Sequence, residues 1–479
     1  MNLSLLTDFY ELSMMQGYFL RGENPPVVFD MFFRRQPFGG GFSIFAGLDT
    51  ALSHIESISF GPDDLAWLDR LGTFHREFLD FLGRLRFTGD IWAMKEGTIV
   101  FPGEPLVRVH GSLIEAQLIE SALLSILNFQ TLIATKSARI RLAARGGAVV
   151  EFGLRRAQGV DGALSASRAA FIGGAAATSN TLAGKQFGIP VRGTMAHSWV
   201  MAFRSEREAF EKYAQTYPDG TVLLIDTYDT LGSGIENAIE VGKKLASEGH
   251  TGFGVRLDSG DLEYLSKAVR QRLDAAGLAD ARIMASNELD EQIVEQLVTR
   301  GAPIDAWGVG THLVTGGGDP ALTGVYKICA RLDGARWVPT IKVSNNPEKV
   351  TNPGIKQVWR FTNAAGGPLA DLIGLDDDPP KPGASHQLYH PSGDYRSFKL
   401  EEYAAVAPLL APRMRQGKIQ DALEDPATAR QRAISELDRL DDTYKRLINP
   451  HVYKVSLSTG LRDLKARLIR EAPTRGGLG

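Results

Sequence analysis

One cysteine, Cys329, is the whole thiol content of this 479-residue chain, so an internal disulfide and a thiolate metal cluster are both excluded. A reducing, cytoplasmic setting fits that scarcity. Charge of neither sign predominates: 53 basic against 56 acidic residues leave a formal net charge of -3, which gives no electrostatic reason to expect nucleic acid or a membrane as partner. Long apolar runs are missing too. The longest uncharged stretches, 121–135 and 169–184, fall short of the roughly 18 apolar residues that a membrane helix needs, and both contain polar side chains. The opening MNLSLLTDFYEL has no basic segment ahead of an apolar one and carries Asp8 and Glu11, so no secretory signal is expected.

What is present is ordinary for a globular protein, with 43% hydrophobic and 23% charged residues, and the length allows about two or three domains. An N-terminal α+β domain is expected over 1–145, with a helix over 3–18, strands at 27–34 and within 91–111, and helices over 112–145. A rhythm then sets in. Apolar runs that end in polar clusters occur at VVEFGLRR, IPVRGTMAH, VLLIDTYD, FGVRLDSGD, RIMASNELD and DAWGVGTH, with helical patterns between them. The clusters at His197, Asp226, Asp258, Ser286 and Gly310 follow one another at roughly 24 to 32 residues, the length of a strand, a helix and two loops. This spacing predicts an irregular α/β barrel catalytic domain over 146–335. A doubly wound open sheet is the alternative, but no Gly-rich phosphate loop follows the first strand. The region 336–479 is expected to be a C-terminal α+β extension, with strands returning to the N-terminal domain. It should contain hairpins turning near Asp333-Gly334 and at 364–367, a loop at 376–383, a helix over 428–448, the strand YKVSLS, a helix over 460–470 and a frayed RGGLG end.

In a barrel the strand interiors form a packed core, so chemistry collects at the carboxyl ends of strands. Asp226 and Asp229 in DTYDT, and Arg256, Asp258 and Asp261 in RLDSGD, sit at such ends. Grouped carboxylates can hold a hydrated Mg²⁺ that also binds substrate phosphates; equally, Asp before an apolar run caps a helix. The stretch GVGTHLVTGGG lets backbone N–H groups approach a phosphate at Gly308 and Gly310, with Thr311 adding a hydroxyl, whereas 316–318 reads equally as a surface loop. His197 stands at a strand end, where a neutral imidazole can take a phosphoryl group, though a lone histidine is often a core residue. Phe152 beside Arg155 and Arg156 offers an aromatic face next to cations, or a core ring with two surface arginines. Tyr10 by itself reads as a helix-surface aromatic.

Set side by side, LLTDFYELSM, EFGLRRAQGVDG, GTMAHSW, DTYDT, GVRLDSGDL, ASNELDE, GVGTHLVT, GVYKI and NPHVYKVS resemble the nicotinate phosphoribosyltransferase family over nearly the whole length. The resemblance implies a type II phosphoribosyltransferase fold, an irregular α/β barrel with flanking α+β parts. It also implies an ATP-coupled reaction in NAD salvage, in which nicotinate and 5-phosphoribosyl 1-diphosphate give nicotinate mononucleotide and diphosphate. His197 would be the autophosphorylated histidine and, with Asp258, a catalytic residue. Phe152 would stack on the pyridine, with Tyr10 of the partner subunit of a homodimer on its other face. Arg155, Thr194 and Arg256 would surround nicotinate, Asp226 and Asp258 would manage Mg²⁺, and Ser286, Asn287, Gly308, Gly310 and Thr311 would cradle the ribose 5-phosphate. Nicotinamide is disfavoured because GGAAATSN supplies hydroxyls and no acid to accept from an amide, and quinolinate because a dianion calls for more basic groups. A catalytically dead scaffold or metabolite sensor is the reading of another class, and it has no use for this set of residues together.

Overall fold

The computed structural model describes residues 3–391 and 396–472, so the expectation for the RGGLG end lies outside the described residues. Contacts divide the chain into two compact units: residues 1–132, 321–425 and 432–479 form one, and residues 133–320 with 426–431 form the other. The 24-residue helix Glu120–Ala143 contains the point of division.

The first unit draws on both ends of the chain. Its larger sheet runs in the order Arg336–Pro339, Gly324–Asp333, Pro26–Phe33, Val107–Ser112, Asp90–Ala93, Ala411–Arg415 and Lys418–Ile419, with antiparallel pairing throughout. Met31, Phe33, Val107 and Val109 are completely buried there. Phe78, Leu82 and Ile91 join the same cluster, because alternate residues of these strands turn one apolar face to the helices. A second sheet is built from the C-terminal part, with Lys356–Thr362 and Pro368–Leu375 as the expected hairpin. The first helix begins at Phe9 rather than near Leu3, with Asp8 in extended conformation at its N-cap. The helix expected over 428–448 is two, Pro426–Arg439 and Asp442–Lys445, the second capped by Asp441.

The second unit holds six parallel strands: β1 Ala148–Glu151, β2 Ala177–Thr178, β3 Val222–Leu224, β4 Gly254–Leu257, β5 Arg282–Ser286 and β6 Ala306–Val309. Their order across the sheet is β2-β1-β6-β5-β4-β3. Leu223, Val255, Ile283 and Trp307 have no exposed surface and share one face of the sheet, the one that the crossover helices cover. Those helices include Gly159–Ile172, Ile235–Ser247, Leu262–Ala275 and Glu291–Thr299. The order is that of a barrel, but no ladder joins β3 to the opposite edge among the described residues, so the hydrogen bonds describe an open sheet. The strand expected in IPVRG is reduced to a single parallel bridge between Val191 and Thr178. Pro190 contributes only its carbonyl, to the N–H of Thr178, and Arg192 donates back to the Thr178 carbonyl. Parallel pairing puts every strand's carboxyl end on one edge of the sheet, and that edge carries the polar side chains.

Candidate functional site

Arg256 is the hub of this edge. It lies in β4 between Met284 of β5 and Leu224 of β3, so its side chain can reach groups on several strand ends. Nε donates to Ser286 Oγ at 2.8 Å, Nη1 to Thr194 Oγ1 at 2.9 Å and Nη2 to Asp258 Oδ1 at 2.8 Å. Ser286 Oγ also bonds Asp258 Oδ1, closing the ring. A guanidinium presents its donors in a fixed fork, so these contacts fix the relative positions of three chain segments. Its Cζ stands 5.4 Å from the centre of the Phe152 ring, within cation–π range.

Asp226 follows β3 and forms the second focus. Its carboxylate is 1% exposed and bridges segments with both oxygens. Oδ1 meets His197 Nε2 at 3.3 Å, while Oδ2 accepts from the Asp258 backbone N–H at 2.9 Å and from Ser259 Oγ at 2.6 Å. The imidazole is 41% exposed, so its far side faces solvent. His197 opens the short helix His197–Met201. The two neighbouring acids behave otherwise: Asp229 caps through the N–H of Gly232, and Asp261 caps Leu262–Ala275 through the N–H of Tyr264. One member of each Asp pair thus caps a following turn or helix, while the other, Asp226 or Asp258, joins neighbouring strand ends.

At β6, Gly308 leaves room for the Phe152 ring: a Cβ there would stand 2.6 Å from a ring carbon. Ser286 pairs with Gly308 across β5 and β6. Asn287 takes φ 112°, a conformation that L residues rarely adopt, which marks a strained turn at the end of β5. Gly310 precedes Thr311, whose hydroxyl bonds Glu288 at 3.3 Å. Of the second glycine cluster Gly316 is buried, and Gly317 lies against Lys136, a buried lysine paired with Glu291. Arg155 and Arg156 are exposed in the turn after Phe152. Tyr10 belongs to the first unit, half-exposed on the helix Phe9–Arg21, where burial and then the charges of Glu120 and Glu11 raise its hydroxyl pKa.

Sequence reasoning passed over Ser259 and Glu151. Ser259 carries no signal apart from its place beside Asp258. Glu151 was readable only as a strand residue, yet it is a 1% exposed carboxylate at the end of β1 that accepts from Thr178 Oγ1 at 2.5 Å and Ser167 Oγ at 2.9 Å. An acidic residue closing an otherwise apolar strand is the clue that could have found it. No group of three or more His, Cys, Asp or Glu side chains shaped to hold a metal is present among the described residues.

Family models match along the chain: the nicotinate phosphoribosyltransferase N-terminal domain at residues 5–128, the nicotinate phosphoribosyltransferase family at 148–318 and the C-terminal domain at 355–465. The nicotinate phosphoribosyltransferase of Bacillus subtilis (strain 168) is 44% identical over 478 residues, covering 99% of this chain and 96% of its own. The chain belongs to the nicotinate phosphoribosyltransferase family. A relative with the same description from Dictyostelium discoideum is 36% identical, covering 96% of this chain and 87% of its own. The crystal structure of human nicotinic acid phosphoribosyltransferase matches with a TM-score of 0.85 at 31% identity, covering 96% of this chain and 99% of that one. The nicotinate-nucleotide pyrophosphorylase of Pyrococcus furiosus, at 22% identity and a TM-score of 0.71 over 91% of this chain and 96% of its own, shares the fold. No described helix is long and apolar enough to cross a membrane.

Proposed function

We propose that this member of the nicotinate phosphoribosyltransferase family joins nicotinate to 5-phosphoribosyl 1-diphosphate, giving nicotinate mononucleotide and diphosphate. ATP hydrolysis is coupled to the step through a phosphohistidine at His197. The observation that carries this reading is the gathering of one exposed imidazole, two strand-end carboxylates and a three-way arginine beside an aromatic ring on one sheet edge. In the same reading the open sheet is the hydrogen-bonded part of an irregular barrel.

Phe152 gives a flat pyridine its stacking surface, and Arg256 with Arg155 and Thr194 surrounds the ring's carboxylate. Arg256 is already matched by Asp258, so the pocket's net charge is moderate, which suits a monoanion better than quinolinate. Bond exchange at the ribose passes through a cationic, oxocarbenium-like carbon, which a neighbouring carboxylate such as Asp258 stabilises. Ser286, Asn287, Gly308, Gly310 and Thr311 supply hydroxyl and close-approach backbone positions for the 5-phosphate. His197 donates one nitrogen toward Asp226, leaving the solvent-facing one to receive the phosphoryl group while ADP departs with the P–O bond electrons.

The residues fit a magnesium ion carried on the diphosphate. Asp258 Oδ1 is engaged, but its other oxygen has no partner among the described residues, and both Asp226 oxygens are held within the protein. One open carboxylate backed by a second is a donor set for a mostly hydrated ion, not for a complete protein cage. When bound, Mg²⁺ neutralises charge on the leaving diphosphate. Tyr10 of the partner subunit would close the pyridine site from the other face in a homodimer, and the exposed Phe9 and Tyr10 of the first helix support such an assembly.

Nicotinate, nicotinamide and quinolinate, offered separately with 5-phosphoribosyl 1-diphosphate, test the reading. Nicotinate mononucleotide from nicotinate alone, together with an acid-labile adduct from γ-phosphate-tagged ATP that His197→Ala abolishes, is expected. No diphosphate release with nicotinate overturns the activity, and an active enzyme without an adduct overturns the coupling.

A further inference from the structure

We propose that Glu151, which the reaction above does not use, is a positioning residue for the pyridine-binding face. The proposal rests on the reading of Phe152 as that face. Glu151 ends β1 directly before Phe152. Its Oε1 accepts from the N–H of Gly153, directly after Phe152, so the side chain spans the residue that carries the ring. Its Oε2 accepts from Ser167 Oγ in the helix Gly159–Ile172 and from Thr178 Oγ1 at the end of β2. The Glu151 carbonyl accepts from Ser179 N at 2.9 Å, tying the two strand ends a second time. One carboxylate therefore joins the turn after β1, the crossover helix and the turn after β2, with Phe152 held between its two ends.

The network requires an acceptor at this place. Thr178 Oγ1 accepts from the N–H of Asn180 at 2.9 Å, and Ser167 Oγ accepts from Asn180 Nδ2 at 3.2 Å. Thr178 thus takes a bond from Asn180 and offers its proton to Glu151, Ser167 has both Glu151 and the Ala163 carbonyl, at 3.0 Å, as acceptors for its proton, and the Gly153 N–H can only donate. An amide in place of the carboxylate can satisfy Gly153, but its NH₂ then stands where the Thr178 hydroxyl now gives its proton, and that proton loses its acceptor. Buried donors left without an acceptor shift until they find partners, and the turn they would move is the one that carries Phe152.

Steady-state kinetics on the full-length protein test this. Glu151→Gln should raise the KM for nicotinate on the order of tenfold, with the KM for 5-phosphoribosyl 1-diphosphate moving by less than about twofold. Thr178→Val should give the same split to a smaller degree, and Thr178→Ser, which keeps the hydroxyl, should restore the wild-type KM. If Glu151→Gln does not fold, the Thr178 pair decides alone. A merely structural Glu151 would raise both KM values alike or lower only the amount of active enzyme, and either result overturns the proposal. So does an unchanged nicotinate KM in an active variant, or a Thr178→Ser that fails to restore it. A wild type that makes no nicotinate mononucleotide overturns the activity itself, and the positioning role falls with it.

Discussion

Asp226 and His197 meet through a single carboxylate oxygen at 3.3 Å, while the other oxygen of Asp226 is fixed by the backbone N–H of Asp258 and the hydroxyl of Ser259. A buried carboxylate held this way cannot swing, so it sets the orientation of the imidazole and favours a proton on Nε2. The nitrogen left to react is Nδ1. The phosphoryl group is therefore expected on Nδ1, as read by the phosphorus shift of the denatured adduct. Asp226→Asn, which no longer selects that tautomer, should slow labelling by tagged ATP on the order of 10²-fold while the unfolding midpoint stays near that of the wild type. Labelling at the wild-type rate would show that Asp226 does not orient the ring.

Arg256 makes three side-chain bonds that a lysine cannot reproduce, since an ammonium is one point charge and lacks the planar fork. Arg256→Lys should keep the pairing with Asp258 and lose at least one of Ser286 and Thr194. With about 1.5–3 kcal/mol for a hydrogen bond to a charged group, kcat/KM for nicotinate should fall on the order of 10- to 100-fold. A loss below about threefold would mean that Ser286 and Thr194 are bystanders.

How far the sequence reveals this edge depends on the kind of residue. Buried parallel strands read as apolar runs, so the positions of Asp226, Asp258, Ser286 and Gly308 at their ends were legible from the pattern alone. The same pattern could not separate Asp226 from Asp229, or Asp258 from Asp261, because a cap and a cross-strand ligand both follow an apolar run by a few residues. The difference lies in which neighbouring strand stands alongside. The missing ladder beside Val191 was hidden for a related reason: IPVRG has strand composition, but Pro190 lacks an N–H and the pairing stops after one bridge. Glu151 was hidden because its role comes from Ser167 and Thr178, 16 and 27 residues further on.

Gly308 is a steric requirement. A methyl group there would stand 2.6 and 2.7 Å from two carbons of the Phe152 ring and 3.0 Å from the Met284 methyl. Gly308→Ala must move the ring, and overpacking of this size costs about 1–3 kcal/mol. The urea midpoint should fall accordingly, and the nicotinate KM should rise even at temperatures where the variant is fully folded. An unchanged KM in a destabilised variant would show that Phe152 serves packing alone.

Glu11 gives the protein a pH dependence separate from the reaction. It has no exposed surface on the first helix, and burial raises its carboxyl pKa from 4.5 to about 7, even though Thr7 and Ser121 donate to it. Because the folded-state pKa lies above the unfolded one, the native chain binds the extra proton between those values, and stability falls as pH rises from about 4.5 to about 7. Above that range the cost of the buried charge is fully present and no longer changes. Glu11→Gln removes the titration, so its unfolding midpoint should lose that downward slope relative to the wild type, with the two curves diverging most above pH 7. Parallel curves across the range would mean that the carboxylate is stabilised as an anion by Thr7 and Ser121, against the burial that surrounds it.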